Sequence, residues 1–202
     1  MPPIPPLTQA LMLACTAIYF GGELLRSTVP IEYWFALWPL GTGLFQPWQL
    51  LSYAFLHGSL THLVFNMLGL WMFGSELERL WGRKRYAQFL LAGALTAALA
   101  QLVFTALSGS RAPTVGASGA LYALLLAYGM LFPNRTIMLL IPPIPMKART
   151  FVIVFGSIEL LFGLSGRSGI AHFAHLGGML GGWLMIRWWR GQAPFPGPRR
   201  RR

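Results

Sequence analysis

The sequence predicts an all-α membrane protein in which a bundle of six transmembrane helices crosses the lipid bilayer. Hydrophobic residues make up 55% of the chain and charged residues only 10%, whereas a soluble domain carries about 25% charged residues. The apolar runs are continuous rather than alternating, which favours helices over a transmembrane barrel. The length suits one compact bundle. We therefore expect a single membrane domain at residues 1–190 and a basic, disordered C-terminal tail at 191–202.

Apolar runs and helix-breaking residues predict where the six helices lie. They are expected at about 8–25, 58–78, 84–107, 118–132, 149–165 and 170–190. A membrane span needs about 20 apolar residues, a length that the second, third and sixth helices provide. Residues 26–56, between the first two helices, form a long first outer loop that is rich in Trp, Tyr and Phe. Such residues favour the membrane–water interface, and we expect the loop to lie there.

The fourth predicted helix is too short to cross the bilayer. It runs from Ser118 to Leu131, before Pro133 ends it, and rises about 21 Å. The hydrocarbon core is about 30 Å thick, so if Leu131 lies at one surface, Ser118 lies on the order of 10 Å below the other. Residues 108–117 would then enter the membrane as irregular backbone. Such backbone is tolerated only inside protein or beside a water-filled cavity.

The positive charges indicate membrane orientation and do not imply nucleic-acid binding. The net charge is +11, and the basic residues cluster between and after the apolar runs. With the N-terminus in the cytoplasm, 13 of the 16 basic residues lie on the cytoplasmic side, as the positive-inside rule requires. Only Arg26, Arg111 and Arg167 lie outside. Both termini are therefore expected in the cytoplasm, Ser118 faces the extracytoplasmic side, and the arginines of the tail attract anionic membrane lipid.

Ser118 is a polar residue within apolar sequence, where polar groups are costly and are often functional. It opens the fourth helix between Gly116 and Gly119. Unpaired backbone N–H groups converge at such a helix start, and the helix dipole favours negative charge there. These features suit a nucleophile. The alternative is that Ser118 only caps the helix, as serine commonly does.

His175 is the one large polar residue on a stripe of small residues in the sixth helix. Gly178 and Gly182 follow it on the same face, and small residues let another helix approach closely. The fourth helix, with Gly119 near its start, is the best candidate for that neighbour. Tyr122, one turn after Ser118, would then pack against the imidazole. A histidine inside a bundle also often serves packing alone, and this alternative stays open.

Three further polar residues lie in or beside the predicted spans. His62 and Asn66 are four residues apart, so they share one face of the second helix. Both donate hydrogen bonds, and a donor of this kind stabilises an oxyanion by about 3–4 kcal/mol. They can equally satisfy contacts between helices. Glu159 lies in the middle of the fifth helix, where a charged residue is a candidate for a functional role. The alternative is that it only forms a hydrogen bond within the bundle.

Other hydrolytic centres fit the sequence poorly. The chain contains no Asp, which excludes a diaspartyl protease and a Ser-His-Asp triad. The HExxH motif of zinc proteases is also absent. His172 and His175 are three residues apart, and we expect no carboxylate or cysteine within reach of the pair. The sequence therefore predicts no metal and no cofactor.

Together these residues resemble the rhomboid family of intramembrane serine proteases. The resemblance covers about residues 45–185. It rests on the motifs His57-x4-His62-x3-Asn66, Gly116-x-Ser118-Gly119 and Ala174-His175-x2-Gly178-x3-Gly182. Three motifs in the right order on the right helices are far more specific than any one of them.

The resemblance implies a Ser-His dyad that cleaves the transmembrane helices of other proteins near their outer ends. Ser118 would be the nucleophile, and His175 the general base and then the general acid. His62, Asn66 and the backbone N–H of Ser118 would form the oxyanion hole. The substrate would enter sideways near the second and fifth helices. The protein would reside in a bacterial inner membrane as a multi-pass protein.

The resemblance also implies supporting roles. Tyr122 would pack on the catalytic imidazole, and His57 would support the nearby loop. Glu78 and Gly82 match a Glu-x3-Gly pattern with a structural role. One departure is Trp48-Gln49, where many members carry Trp-Arg. Because of this departure, the sequence does not indicate which residue anchors the first outer loop.

Two other functions stay open beside the protease. A non-catalytic rhomboid-like protein would bind transmembrane helices, although such relatives typically lack the Ser or the His. A small transporter would use the helix start at Ser118 as an anion site, but no inverted repeat is visible. Because a buried carboxylate is costly, we expect Tyr122 and the glycine-lined crossing to orient His175 instead. A base oriented in this way predicts a slow enzyme.

Overall fold

The computed structural model describes residues 3–138, 143–165 and 171–192. In chain order its elements are α1 (Pro6–Leu24), α2 (Ile31–Phe35), α3 (Gln49–Ser52), α4 (Leu60–Gly69), α5 (Ser75–Ser108), α6 (Ser118–Leu131), β1 (Thr136–Met138), β2 (Pro145–Lys147), α7 (Ala148–Ser165) and α8 (His172–Trp189). The short 3₁₀ turns are Leu40–Thr42 and Tyr53–Phe55, and a π-helical turn at Leu70–Gly74 joins α4 to α5. This architecture confirms the predicted all-α fold. The predicted tail lies outside the described residues from position 193 onward.

Three stretches of the described residues are long and apolar enough to cross a membrane. They are Pro6–Leu24, Leu60–Ser108 and Ala148–Ser165. The second stretch has 49 residues, enough for two spans. α6 is apolar but has only 14 residues, and α8 is not among the three. These features are those of an integral membrane protein, while the number of six spans stays a prediction.

Gly82 separates the second and third predicted helices. Its φ of 74° and ψ of 162° break α5 into two segments, and glycine adopts a positive φ without strain. One turn earlier, the buried Glu78 carboxylate accepts hydrogen bonds from the backbone N–H groups of Leu7 (3.0 Å) and Thr8 (2.7 Å). These groups lie in the first turn of α1, where helix N–H groups lack intrahelical partners. Glu78 therefore ties the start of α1 to the bend in α5.

Two rows of glycine let α8 pack closely against two neighbouring helices. Gly178 and Gly182 face α6, and a Cβ on Gly178 would clash with the backbone of Gly119. Gly177 and Gly181 form a second row that faces α5. The sequence predicted the first row and its partner helix but not the second row. Together the two rows seat α8 between α5 and α6, which brings His175 to the start of α6.

Gln49 holds the first outer loop together. Its side chain is fully buried. Its Oε1 accepts hydrogen bonds from the backbone N–H groups of Trp38 (3.2 Å) and Gln46 (3.1 Å). Its Nε2 donates to the backbone carbonyls of Trp34 (3.3 Å) and Leu44 (3.2 Å). A neutral amide thus anchors the loop at the position where many members of the resembled family carry arginine.

Candidate active site

The segment before α6 is irregular backbone that pairs with the first outer loop. Thr114 and Leu37 exchange two backbone hydrogen bonds of 3.0 Å, and the N–H of Gly116 donates to the carbonyl of Tyr53 at 2.9 Å. Gly116 has a φ of 124°, a conformation that glycine alone adopts readily. These pairings satisfy backbone groups within the protein, which is the condition under which irregular backbone can enter a membrane.

Ser118 is the first residue of α6, and its side chain does not cap the helix. The cap position is Ala117, and no side chain provides a capping hydrogen bond. The alternative that Ser118 only serves as a cap is therefore wrong. Its Oγ lies 2.7 Å from Nε2 of His175 instead. A neutral imidazole accepts a hydrogen bond at the nitrogen that carries no proton, so this geometry lets Nε2 receive the hydroxyl proton.

The ring of His175 is held by Tyr122. His175 is buried on α8, one turn before Gly178. The ring of Tyr122 stacks on the imidazole with centroids 4.3 Å apart and planes inclined by 8°. The sequence predicted this contact, because Tyr122 follows Ser118 by one turn. The stacked ring and the close α6–α8 crossing together fix the imidazole plane relative to Ser118.

A buried carboxylate lies behind the imidazole. Oε2 of Glu159, on α7, is 2.8 Å from Nδ1 of His175 and 2.5 Å from Nδ1 of His172. The contact with His175 is close but is not aligned as a hydrogen bond. The hydroxyl of Tyr122 donates to the other oxygen, Oε1. The expectation that no carboxylate reaches the two histidines is therefore wrong, because α7 packs against α8 and spacing along α8 alone does not predict that contact.

Glu159, His172 and His175 also form a set of ligand types that zinc accepts. All three residues are buried, and their ligand atoms lie within 4.8 Å of one another. Nδ1 of His172 and Nδ1 of His175 lie 2.5 Å and 2.8 Å from the same carboxylate oxygen, so the groups contact one another directly. The absence of a metal stays a prediction.

The residues of the second-span motif lie beside Gly116 and Ser118. A Cβ on Gly116 would lie 2.7 Å from Nε2 of His62 and 3.7 Å from Oγ of Ser118, so these side chains are neighbours. Asn66 is buried, and its Nδ2 donates to the carbonyl of His62 at 2.8 Å. The ring of His57 meets that of His62 edge-on, with centroids 5.1 Å apart. Burial, and secondly the charge of His62, lowers the pKa of His57 to about 4, so His57 is neutral at physiological pH.

A cavity of about 1240 Å³ opens beside these groups. Its polar lining includes Ser118, His175, His62 and Asn66. Its apolar lining includes Phe65, Met72, Phe73, Phe151, Phe155 and Phe162. A mostly apolar wall with a few converging polar groups is typical of a ligand site. This cavity therefore has the character of a ligand site, with Ser118 among its polar groups.

Sequence reasoning missed the contacts between Glu159 and the two histidines. One signal was present, because a carboxylate in the middle of an apolar helix is costly and usually paired. The pairing itself depends on which face of α7 meets α8. No spacing within either helix encodes that choice.

Comparison with known proteins gives consistent matches along most of the chain. A family model described as the rhomboid domain matches residues 44–190. "Rhomboid protease GlpG" of Yersinia pestis (strain Pestoides F) is 33% identical over 188 residues, which are 91% of this chain and 62% of the relative. "Rhomboid protease GlpG" of Serratia proteamaculans (strain 568) is 34% identical over 189 residues, again 91% of this chain and 62% of the relative. The chain thus spans about 62% of the length of these curated relatives.

Proposed function

The chain belongs to the rhomboid family, and we propose that it is an intramembrane serine protease that hydrolyses peptide bonds in the transmembrane helices of other proteins. The observation that carries this proposal is the 2.7 Å contact between Ser118 Oγ and His175 Nε2 inside an apolar bundle. The relatives named "Rhomboid protease GlpG" support the same activity. We propose a bacterial inner-membrane location with both termini in the cytoplasm, so that cleavage occurs near the extracytoplasmic face.

In the proposed reaction, Oγ of Ser118 attacks the carbonyl carbon of the peptide bond while Nε2 of His175 accepts the hydroxyl proton. The carbonyl π electrons move to its oxygen, which gives a tetrahedral oxyanion. His175 then donates the proton to the leaving nitrogen, the C–N bond breaks, and an acyl group remains on Ser118. Water attacks this ester, His175 takes the proton from the water, and the proton returns to Oγ as the acid leaves.

Three hydrogen-bond donors stabilise the oxyanion in this proposal: the backbone N–H of Ser118, Nδ2 of Asn66 and the imidazole of His62. The Ser118 N–H lies in the first turn of α6, where it has no intrahelical acceptor and the helix dipole favours negative charge. Asn66 donates one of its two N–H groups to the carbonyl of His62. Each such donor contributes about 3–4 kcal/mol in the transition state.

The substrate in this proposal is an apolar segment that unwinds locally, because the peptide groups of an intact helix are hydrogen-bonded and wrapped by side chains. α4 and α7 both line the cavity beside Ser118. We infer that a transmembrane helix enters sideways between these two elements. The reaction as written uses no metal and no cofactor.

A fluorescent fluorophosphonate, which forms a covalent bond with activated serines, tests the proposal. We expect the purified protein to be labelled in detergent and the Ser118→Ala variant to lose the label completely. The reason is that Ser118 is the hydroxyl in contact with an imidazole base. The measurement is in-gel fluorescence at equal protein loading.

Ser110→Ala is the matched control, because Ser110 lines the same cavity and has no role in the proposed reaction. It is expected to label like the wild type. Equal labelling of the wild type and Ser118→Ala would refute the proposal. No labelling of a folded wild-type protein would also refute it and would favour a non-catalytic rhomboid-like protein that binds transmembrane helices.

A further inference from the structure

We propose that Glu159 is a positioning residue for His175, so that the site works as a Ser118–His175–Glu159 row rather than as a dyad. The inference rests on the proposed function and deepens it. The row is continuous, with 2.7 Å from Ser118 Oγ to His175 Nε2 and 2.8 Å from His175 Nδ1 to Glu159 Oε2. Each member comes from a different helix, α6, α8 and α7.

The protonation pattern of the row follows from hydrogen-bond chemistry. Ser118 can donate to Nε2 of His175 only when that nitrogen carries no proton. The proton of the neutral imidazole is then on Nδ1, the nitrogen that faces Glu159. A carboxylate at this position favours the tautomer that can accept the serine proton, which is the role of the carboxylate in Ser-His-Asp triads.

Glu159 is itself held by groups on two other helices. The hydroxyl of Tyr122 on α6 donates to Oε1. Nδ1 of His172 on α8 lies 2.5 Å from Oε2, the oxygen that also faces His175. A buried carboxylate is costly unless it is paired and hydrogen-bonded. These contacts explain how α7 carries a carboxylate at a buried position and keep its Oε2 aimed at His175.

The charges around the imidazole of His175 also favour a supporting role for Glu159. Among the described residues, the polar groups near His175 are Ser118 and Tyr122 on α6, His172 on α8, His62 on α4 and Glu159 on α7. The nearby residues of α5, Ala97 and Ala100, which pack on Gly177, do not titrate. Of these groups, only Glu159 is negative at neutral pH. It therefore stabilises the imidazolium that forms when His175 takes the serine proton, and more strongly in a low-dielectric site.

The contact between Glu159 and His175 has the distance but not the alignment of a hydrogen bond. Catalytic hydrogen bonds often align only when substrate is bound. Both side chains are buried, and alignment of the Nδ1–H with Oε2 when substrate binds is part of this proposal.

The test is the inactivation kinetics of Glu159→Gln with a fluorophosphonate, resolved into kinact and KI across the pH range in which histidine titrates. We expect kinact to fall by at least about tenfold, and at most by the roughly 10⁴-fold that loss of a triad carboxylate costs elsewhere. KI is expected to stay unchanged. The acid side of the pH profile should move to lower pH, because removal of a neighbouring negative charge disfavours the imidazolium.

Glu78→Gln is the matched control, because Glu78 is also a buried carboxylate but holds the start of α1. It should lower thermal stability and leave both kinact and the pH profile unchanged. An unchanged kinact and pH profile in Glu159→Gln would overturn the inference. Failure of the wild-type protein to react would overturn the proposed function instead, so the two outcomes are distinguishable.

A measurement on the unaltered protein keeps the inference testable if Glu159→Gln does not fold. ¹⁵N NMR of histidine-labelled protein distinguishes the two imidazole tautomers, and the four histidines of the chain make assignment practical. We expect His175 to carry its proton on Nδ1 at neutral to alkaline pH. A proton on Nε2 would overturn the inference.

Discussion

Replacing His175 by alanine is expected to slow fluorophosphonate inactivation on the order of 10⁴-fold or more. Nε2 of His175 is the nitrogen that lies 2.7 Å from Ser118 Oγ. Without it the hydroxyl has no base, and an unactivated serine is a weak nucleophile. The measurement is the inactivation rate of the purified variant, combined with thermal unfolding in detergent to show that the variant is folded.

The His172→Ala variant distinguishes the roles of the two histidines of α8. His172 is three residues from His175 and equally buried, but its Nδ1 contacts Glu159 rather than Ser118. Because His172 contacts the carboxylate rather than Ser118, we expect a loss of at most about 10²-fold, the upper range for outer partners of a functional histidine. Equal losses in the two variants would contradict the assignment of the base to His175.

Gly178→Ala is expected to separate α6 from α8 and so to damage both stability and activity. A Cβ at this position would lie 2.7 Å from the carbonyl carbon of Gly119 and 3.2 Å from its Cα. These are backbone atoms, so the helices must move apart. Overpacking of this kind costs about 1–3 kcal/mol in unfolding free energy. Gly119 follows Ser118 directly, and a shift of about 1 Å at a catalytic contact can slow the reaction about 10²-fold.

The measurements for Gly178→Ala are the thermal unfolding midpoint and the inactivation rate. Gly156→Ala is the matched control, because Gly156 lies mid-helix on α7 and a Cβ there would meet the terminal methyl of Met179 at 3.2 Å. A flexible side-chain end can move aside, so this variant should stay close to the wild type. Wild-type stability and rate in Gly178→Ala would contradict the close crossing of α6 and α8.

The sequence predicted the helices well where breaking residues mark their ends. The fourth helix was expected at 118–132 and is Ser118–Leu131, because irregular backbone precedes it and Pro133 follows. The predicted break between the second and third helices is a sharp bend at Gly82, whose non-helical backbone divides α5 into two segments. The β1–β2 hairpin was not predicted, since strands of three residues are too short to show an alternating pattern.

The sequence predicted Ser118 and His175 of the candidate site but not their connection to Glu159. Ser118 and His175 stand out because polar groups in apolar helices are costly. The glycine row predicts a closely packed neighbour for α8, for which α6 was the best candidate. The contact with Glu159 was not predictable in this way, because it depends on how α7 is rotated about its axis against α8. That rotation is decided by side-chain packing between the two helices.

The first outer loop gives a second example of structure that a motif does not encode. Gln49 departs from the Trp-Arg pattern of many family members, which left the anchoring of this loop open. In the structure, an uncharged side chain at this position is hydrogen-bonded to the loop. The amide of Gln49 provides both a donor and an acceptor, to four backbone groups.

Mass spectrometry of new protein N-termini in bacterial membranes that contain either the wild-type protein or Ser118→Ala measures the proposed cleavage most directly. We expect a set of N-termini within or next to transmembrane helices, near their extracytoplasmic ends, that appears only with the wild type. Identical sets of N-termini with the two proteins would show that this chain does not use Ser118 to cleave membrane proteins, and would contradict the proposed function.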